Sequence, residues 1–186
     1  MSSQVTSVKQ QRLFFALWPD DALREQLENV VKTISKPEGG RLVPVENLHI
    51  TLRFLGYMQA EKRQCAEQVA DRMVHHPPCQ LVLDRLGHFP RPRVLWLGAS
   101  QTPEPLTILA RDFNQELKTC GLQPEQRPFH AHMTLMRKVN RTPTLPPIDP
   151  IEWPISQFAL VESQTLPEGA KYEVLRFWSL TGTSIS

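Results

Sequence analysis

The chain has 186 residues, 40% of them hydrophobic and 22% charged, which suits one domain with a core of its own and excludes a disordered tail. A formal net charge of +2 is too small to coat nucleic acid along the chain, so any such contact is local, at an end or a pocket. No run reaches the roughly 20 apolar residues of a membrane-spanning helix.

The polar opening, MSSQVTSVKQQ, lacks the apolar stretch of a secretory signal. Residues 1–10 read as a flexible arm ahead of a single domain over 11–186. Leu13–Leu17 is a short apolar run, read as a buried strand. Pro19-Asp20-Asp21 starts a helix, whose stripe is Leu23, Leu27, Val30, Val31 and Ile34; Pro37 and Gly39-Gly40 end it. Leu48–Leu55 alternates as a strand should, with His49, Thr51 and Arg53 on one face and Leu48, Ile50, Leu52 and Phe54 on the other. Gly56 closes it. Residues 60–74 form a second helix with Cys65, Ala66, Val69, Ala70 and Met73 inward. Pro77-Pro78 stops it.

Strands follow near Gln80–Leu86 and Val94–Leu97. A third helix runs from Glu104 to Cys120, with Leu106, Leu109, Ala110, Phe113 and Leu117 inward and Gly121 at its C-terminal turn. Phe129–Met136 is a strand. Several of the 17 prolines crowd into Thr142–Pro154, a stiff extended connector. The last two strands lie near Gln157–Thr165 and Tyr172–Leu180. Strands outnumber helices and each helix stripe is one-sided, which predicts an α+β fold with helices outside antiparallel sheets. Cys65, Cys79 and Cys120 are odd in number and lack metal-ligand spacing. They are expected to be reduced thiols in a cytoplasmic protein.

One short pattern occurs twice. His49-Ile50-Thr51-Leu52 recurs as His132-Met133-Thr134-Leu135, H-φ-T-L with φ apolar, each copy in strand-like sequence. Period two puts the His and Thr of each copy on one face and φ and Leu on the other. Two such strands across a cleft would converge two imidazoles and two hydroxyls. Histidine titrates near neutrality, so one imidazole can be neutral while the other is protonated. That is an acid–base pair suited to in-line displacement at phosphorus: one takes the proton of the attacking water, the other protonates the leaving oxygen. The threonine hydroxyls would donate to the non-bridging oxygens. His130 and His132 form an H-x-H that can chelate a metal. No Asp, Glu or Cys stands near them, and His130 is read as an orienting or structural residue; no metal and no cofactor are expected. Arg137 falls one step out of phase with His132 and Thr134, and reaches the cleft only if the strand ends or bulges there.

The two motifs, as Asn47–Gly56 (NLHITLRFLG) and Arg127–Arg137 (RPFHAHMTLMR), together with Arg12–Ala16 (RLFFA) and Ser163–Tyr172 (SQTLPEGAKY), resemble the two-histidine phosphoesterase superfamily, specifically the RNA 2′,3′-cyclic phosphodiesterases, also known as 2′-5′ RNA ligases. Ala131 stands where such relatives often carry proline. The resemblance implies a bilobal, pseudo-symmetric fold, with two antiparallel sheets lining a central cleft and helices packed outside. It implies hydrolysis of RNA 2′,3′-cyclic phosphate ends to 2′-phosphates, with His49 as proton donor to O3′ and His132 as acceptor from water. It assigns Arg137 to the phosphate, sets Phe15 and Tyr172 to flank the base, and makes RNA ends or nucleotides the partner of a monomeric enzyme. Ligation through a 2′-5′ bond, and an idle RNA-end binding module, stay open beside hydrolysis.

Overall fold

The apolar run that opens the domain is flanked by charge and too short for a helix, and it folds as strand β1, Gln11–Leu17. In the computed structural model, which describes residues 10–34, 39–167 and 169–183, helix α1 follows over Asp21–Thr33. The Asp20 carboxylate accepts from the Leu23 amide at 2.8 Å, capping an amide that the first turn leaves unpaired. Leu23 and Leu27 are buried along the expected stripe. Most of the N-terminal arm, and Pro37, lie outside the described residues.

The remaining elements are β2 (Arg41–Leu42), a 3₁₀ turn over Val45–Asn47, β3 (Ile50–Met58), α2 (Ala60–Met73), β4 (Cys79–Leu83), β5 (Arg85–Phe89), β6 (Val94–Gly98), α3 (Glu104–Glu116), β7 (His132–Arg137), β8 (Ile151–Ile155), β9 (Gln157–Leu166) and β10 (Gly169–Ser179). The strand expected over Gln80–Leu86 is two strands in different sheets. They part at Asp84, whose carboxylate takes the Ser100 amide at 2.7 Å and the Ser100 hydroxyl at 2.6 Å. The proline-rich connector ends in strand β8, which the prolines hid. Pro154 is tolerated opposite Gln80 because a two-stranded sheet consists only of edges.

Two antiparallel sheets result. One has the order β10-β9-β1-β3-β7-β6-β5, with β2 also on β7; the other is β4-β8. The two arms of the large sheet, β10-β9-β1-β3 and β7-β6-β5, take the place of the two expected sheets. One main core joins Leu13, Phe15 and Leu17 of β1 and Met133 and Leu135 of β7 to the apolar stripes of all three helices. A smaller cluster of Phe14, Ala16, Ala159 and Val161 lies apart from it. The helices therefore pack on one face of the large sheet and leave the other for the cleft.

Cys65 and Cys120 are not reduced thiols. They form a disulfide, with Cα atoms 5.7 Å apart. The 3₁₀ turn after α3, Leu117–Cys120, packs against α2 and brings together two cysteines that periodicity could only place in separate helical patterns. Cys79 is a free thiol. With that pair formed, the cysteines no longer argue for a reducing compartment. Among the described residues, no helix is long and apolar enough to cross a membrane.

Candidate active site

The two H-φ-T-L copies lie where the arms of the sheet touch. β3 and β7 run antiparallel and meet at the pair Ile50–Met133, so the φ residues of both copies form the joint and are fully buried there. Alternation turns His49, Thr51, His132 and Thr134 to the opposite face. The antiparallel sense sets each histidine toward the other copy's threonine. All four line one cavity of about 730 Å³, together with Arg41, Arg137, Lys138 and Tyr172.

Each motif strand carries a bulge at its leucine. In β3, Thr51 stands opposite Ala16 and Arg53 opposite Phe15, leaving Leu52 unpaired. In β7, Thr134 stands opposite Trp96 and Met136 opposite Leu95, leaving Leu135 unpaired. An extra residue reverses the parity of everything after it. Arg137 is thereby turned to the cleft, the condition that simple alternation left open. The same device turns Arg53 away from His49 and Thr51, with which it had been aligned. Arg53 is 5% exposed and donates to Glu125 at 2.8 Å and to the Gln123 carbonyl. Phe54, expected inward with Leu52, emerges on the cleft side at 40% exposure.

The histidines are held alike. His49 Nδ1 donates to the Asn47 carbonyl at 2.7 Å, and His132 Nδ1 to the His130 carbonyl at 2.8 Å. A carbonyl can only accept, so Nδ1 carries the proton and Nε2 holds a lone pair when the ring is neutral. The Asn47 side chain donates to the Ala170 carbonyl at 3.0 Å, tying the turn before His49 to the β9–β10 hairpin that carries Tyr172. Around His49 the ring centroids of Phe14, Trp18 and Tyr172 lie at 4.8, 5.6 and 5.2 Å. Phe89 and Trp96 flank His132 at 5.4 and 6.3 Å.

These cages set the electrostatics. Burial lowers the His49 pKa to about 4; the charges of Arg137, Arg24 and His132 push the same way, and the bond to Asn47 opposes them. Burial also lowers the His132 pKa, with the charge of His130 adding to it and the bond to the His130 carbonyl opposing it.

Phe15 does not flank a base. It is fully buried and stacks on Phe113 at 4.6 Å. Phe14 is the β1 aromatic on the cleft side, and parity could not choose between them inside an unbroken apolar run. Tyr172 lines the cleft as expected. His130 contributes its carbonyl, while its side chain is exposed near Trp96. Among the described residues, no three His, Cys, Asp or Glu side chains gather to hold a metal. Trp18, Phe89 and Trp96 were missed because an isolated aromatic carries no periodic signal and reads as core or as loop. Arg41 and Lys138 were missed because a lone surface cation carries no pattern.

A family model described as the 2′-5′ RNA ligase superfamily matches residues 18–166. An RNA 2′,3′-cyclic phosphodiesterase of Escherichia coli is 38% identical over 173 residues, 92% of this chain and 97% of that protein. A protein of the same name from Archaeoglobus fulgidus is 33% identical over 89% of this chain and 98% of its own. The crystal structure of E. coli LigT complexed with 3′-AMP superposes with a TM-score of 0.86 at 36% identity, covering 93% of this chain and 99% of that one. Two motif copies joined back to back, each with its histidine, threonine and bulge, and relatives matched over nearly their whole length lead to one assignment: the chain belongs to the 2′-5′ RNA ligase superfamily.

Proposed function

We infer that this chain is an RNA 2′,3′-cyclic phosphodiesterase. The observation that carries the reading is the pair of imidazoles, each fixed through Nδ1 and each lining one cleft with a threonine beside it. The names of the relatives point to the same reaction. E. coli LigT has been crystallised with 3′-AMP, which supports a nucleotide in the corresponding cleft here.

In the reaction, water attacks phosphorus while the bond from phosphorus to O3′ breaks. His132 takes the water proton, His49 gives a proton to O3′, and a 2′-phosphate remains. Thr51 and Thr134 donate to the non-bridging oxygens and the Arg137 guanidinium faces their charge. Tyr172 forms one wall for the base. His49 is neutral at pH 7 in the empty cleft, so this division of roles requires the bound phosphate anion to raise its pKa and load the proton. We propose that the enzyme acts as a monomer in the cytoplasm, a reading that rests on its substrate and not on its cysteines, two of which are paired. Ligation is the same displacement with the hydroxyl of a 5′-hydroxyl end in place of water as the nucleophile, leaving a 2′-5′ phosphodiester.

The test is incubation of the pure protein, in excess EDTA, with a short RNA ending in a 2′,3′-cyclic phosphate. The expected product carries a 2′-phosphomonoester. Activity lost to the chelator and restored by zinc or manganese would overturn the metal-free reading, and a 3′-phosphate product would overturn the assignment of acid and base. Adding RNA with 5′-hydroxyl ends at rising concentration measures ligation directly.

A further inference from the structure

A second, smaller cavity of about 150 Å³ shares His49, Thr51 and Arg137 with the main cleft and extends it to Arg12, Phe54 and Ser163. The mechanism above uses none of these last three.

The cavity is built for an anion. Two guanidiniums and the hydroxyls of Thr51, Ser163 and Tyr172 line it, and among the described residues none of its lining is acidic. The nearest carboxylate along β9, Glu162, is turned away by strand alternation and accepts from Gln11 Nε2 at 3.0 Å. Arg12 lies with its guanidinium 4.9 Å over the Phe54 ring and enters no ion pair among the described residues. The stacking holds the guanidinium in place and leaves its donors for a ligand. Ser163 is 7% exposed, and its Oγ is buried with no hydrogen-bond partner among the described residues. Buried hydroxyls are almost always satisfied, so an unpartnered one in a cationic cavity points to an acceptor that arrives with a ligand.

We propose that Arg12 and Ser163, backed by Phe54, form a second phosphate subsite, separate from the one between the histidines. Resting on the phosphodiesterase reading, it takes the 5′-phosphate of the same terminal nucleotide whose cyclic phosphate is opened. The shared wall of His49, Thr51 and Arg137 places the two anions side by side, as the phosphates on either side of one ribose are. That phosphate is a monoester in a mononucleotide and a diester within an RNA chain. Both carry the charge that Arg12 and Ser163 recognise, so the subsite makes the enzyme prefer ends that continue into a chain over bare nucleosides.

The experiment is calorimetric, on the intact protein. Adenosine 2′-phosphate is compared with adenosine 2′,5′-bisphosphate and with a dinucleotide carrying a terminal 2′-phosphate. The added phosphate is expected to tighten binding about tenfold, as expected of charge-assisted contacts. In Arg12→Gln the difference should fall to twofold or less. Ser163→Ala, which leaves the charge, should remove part of it, and Arg12→Lys should keep part. A gain with the bisphosphate alone assigns the subsite to a monoester, and a gain with the dinucleotide to a diester. Equal affinities for all three ligands in the wild type, or a difference that survives Arg12→Gln and Ser163→Ala, would overturn the proposal. Hydrolysis of nucleoside 2′,3′-cyclic phosphates with and without a 5′-phosphate is measured in parallel. If neither is hydrolysed while the binding difference persists, the phosphodiesterase reading fails and the subsite stands.

Discussion

Both histidines commit Nδ1 to a carbonyl two residues earlier in the chain, so only Nε2 is left to exchange a proton with substrate. Replacing either by alanine removes a positioned acid or base and is expected to cost on the order of 10² to 10⁴ in kcat. The two variants should differ on a substrate with an activated leaving group, which departs without being protonated. His49→Ala should recover part of its rate there and His132→Ala should not; equal recovery of both would exchange or dissolve the roles. The pH profile carries a second test. The proposed roles need His49 protonated and His132 neutral, and both pKa values are depressed in the free enzyme, that of His49 to about 4. Because kcat/KM reports the free enzyme, its optimum should lie on the acid side of the ordinary histidine value of about 6.5. Bound phosphate raises both pKa values, so the kcat optimum should sit at higher pH. Coincident optima at or above neutrality would mean that the cleft does not desolvate His49.

At the scale of elements, the bulges at Leu52 and Leu135 decide which arginine faces the cleft. The same offset from the threonine, two places on, gives Arg53 in one copy and Met136 in the other, and both face away from the cleft; three places on gives Phe54 and Arg137, and both face it. The disulfide belongs to this scale too. It ties α2 to the turn that ends α3 across 55 residues of chain, and neither cysteine lines the cleft. Closing a loop of that size restricts the unfolded chain, which by the entropic account stabilises the fold by roughly 2–4 kcal/mol. Replacing both cysteines by alanine should lower stability by that order in denaturant titration of the oxidised protein and leave kcat within about twofold. Identical denaturation midpoints for the oxidised wild type and the double variant would show that the pair is not formed in solution.

Across the whole molecule, a net charge of +2 conceals a strong local field. Among the described residues, Arg41, Arg137, Lys138 and Lys171 line the cleft against one carboxylate, that of Glu46. RNA binding should therefore be local and yet salt-dependent. With three or four phosphates contacted, log K for a single strand falls against log salt with a slope of about −2 to −3. Titration of a short RNA at several salt concentrations measures the slope, and a value near zero would place the strand outside this cleft. Among the described residues, the two arms of the sheet pair at Ile50–Met133 in β3 and β7 alone, so the field and the proposed chemistry both sit on the joint.

Strand parity, helix stripes and the repeated H-φ-T-L made the α+β class, all three helices and the four groups His49, Thr51, His132 and Thr134 legible from sequence. Each of those signals is local: a period of 2 or 3.6 read within a dozen residues. What the sequence withheld depends on partners far along the chain. The bulges at Leu52 and Leu135 exist only in the register of β3 against β1 and of β7 against β6, so the orientations of Arg53, Phe54 and Arg137 could not be read from alternation. Phe14 and Phe15 sit in an all-apolar run, and only the packing of Phe15 on Phe113 of α3 tells them apart. Cys65 and Cys120 meet because two helical elements pack, and β8 forms because β4 offers an edge. Sequence by itself determined the two imidazoles and two hydroxyls at the centre of the site. Tertiary pairing decided which way they face, because orientation in a sheet is a property of register, and register belongs to two strands at once.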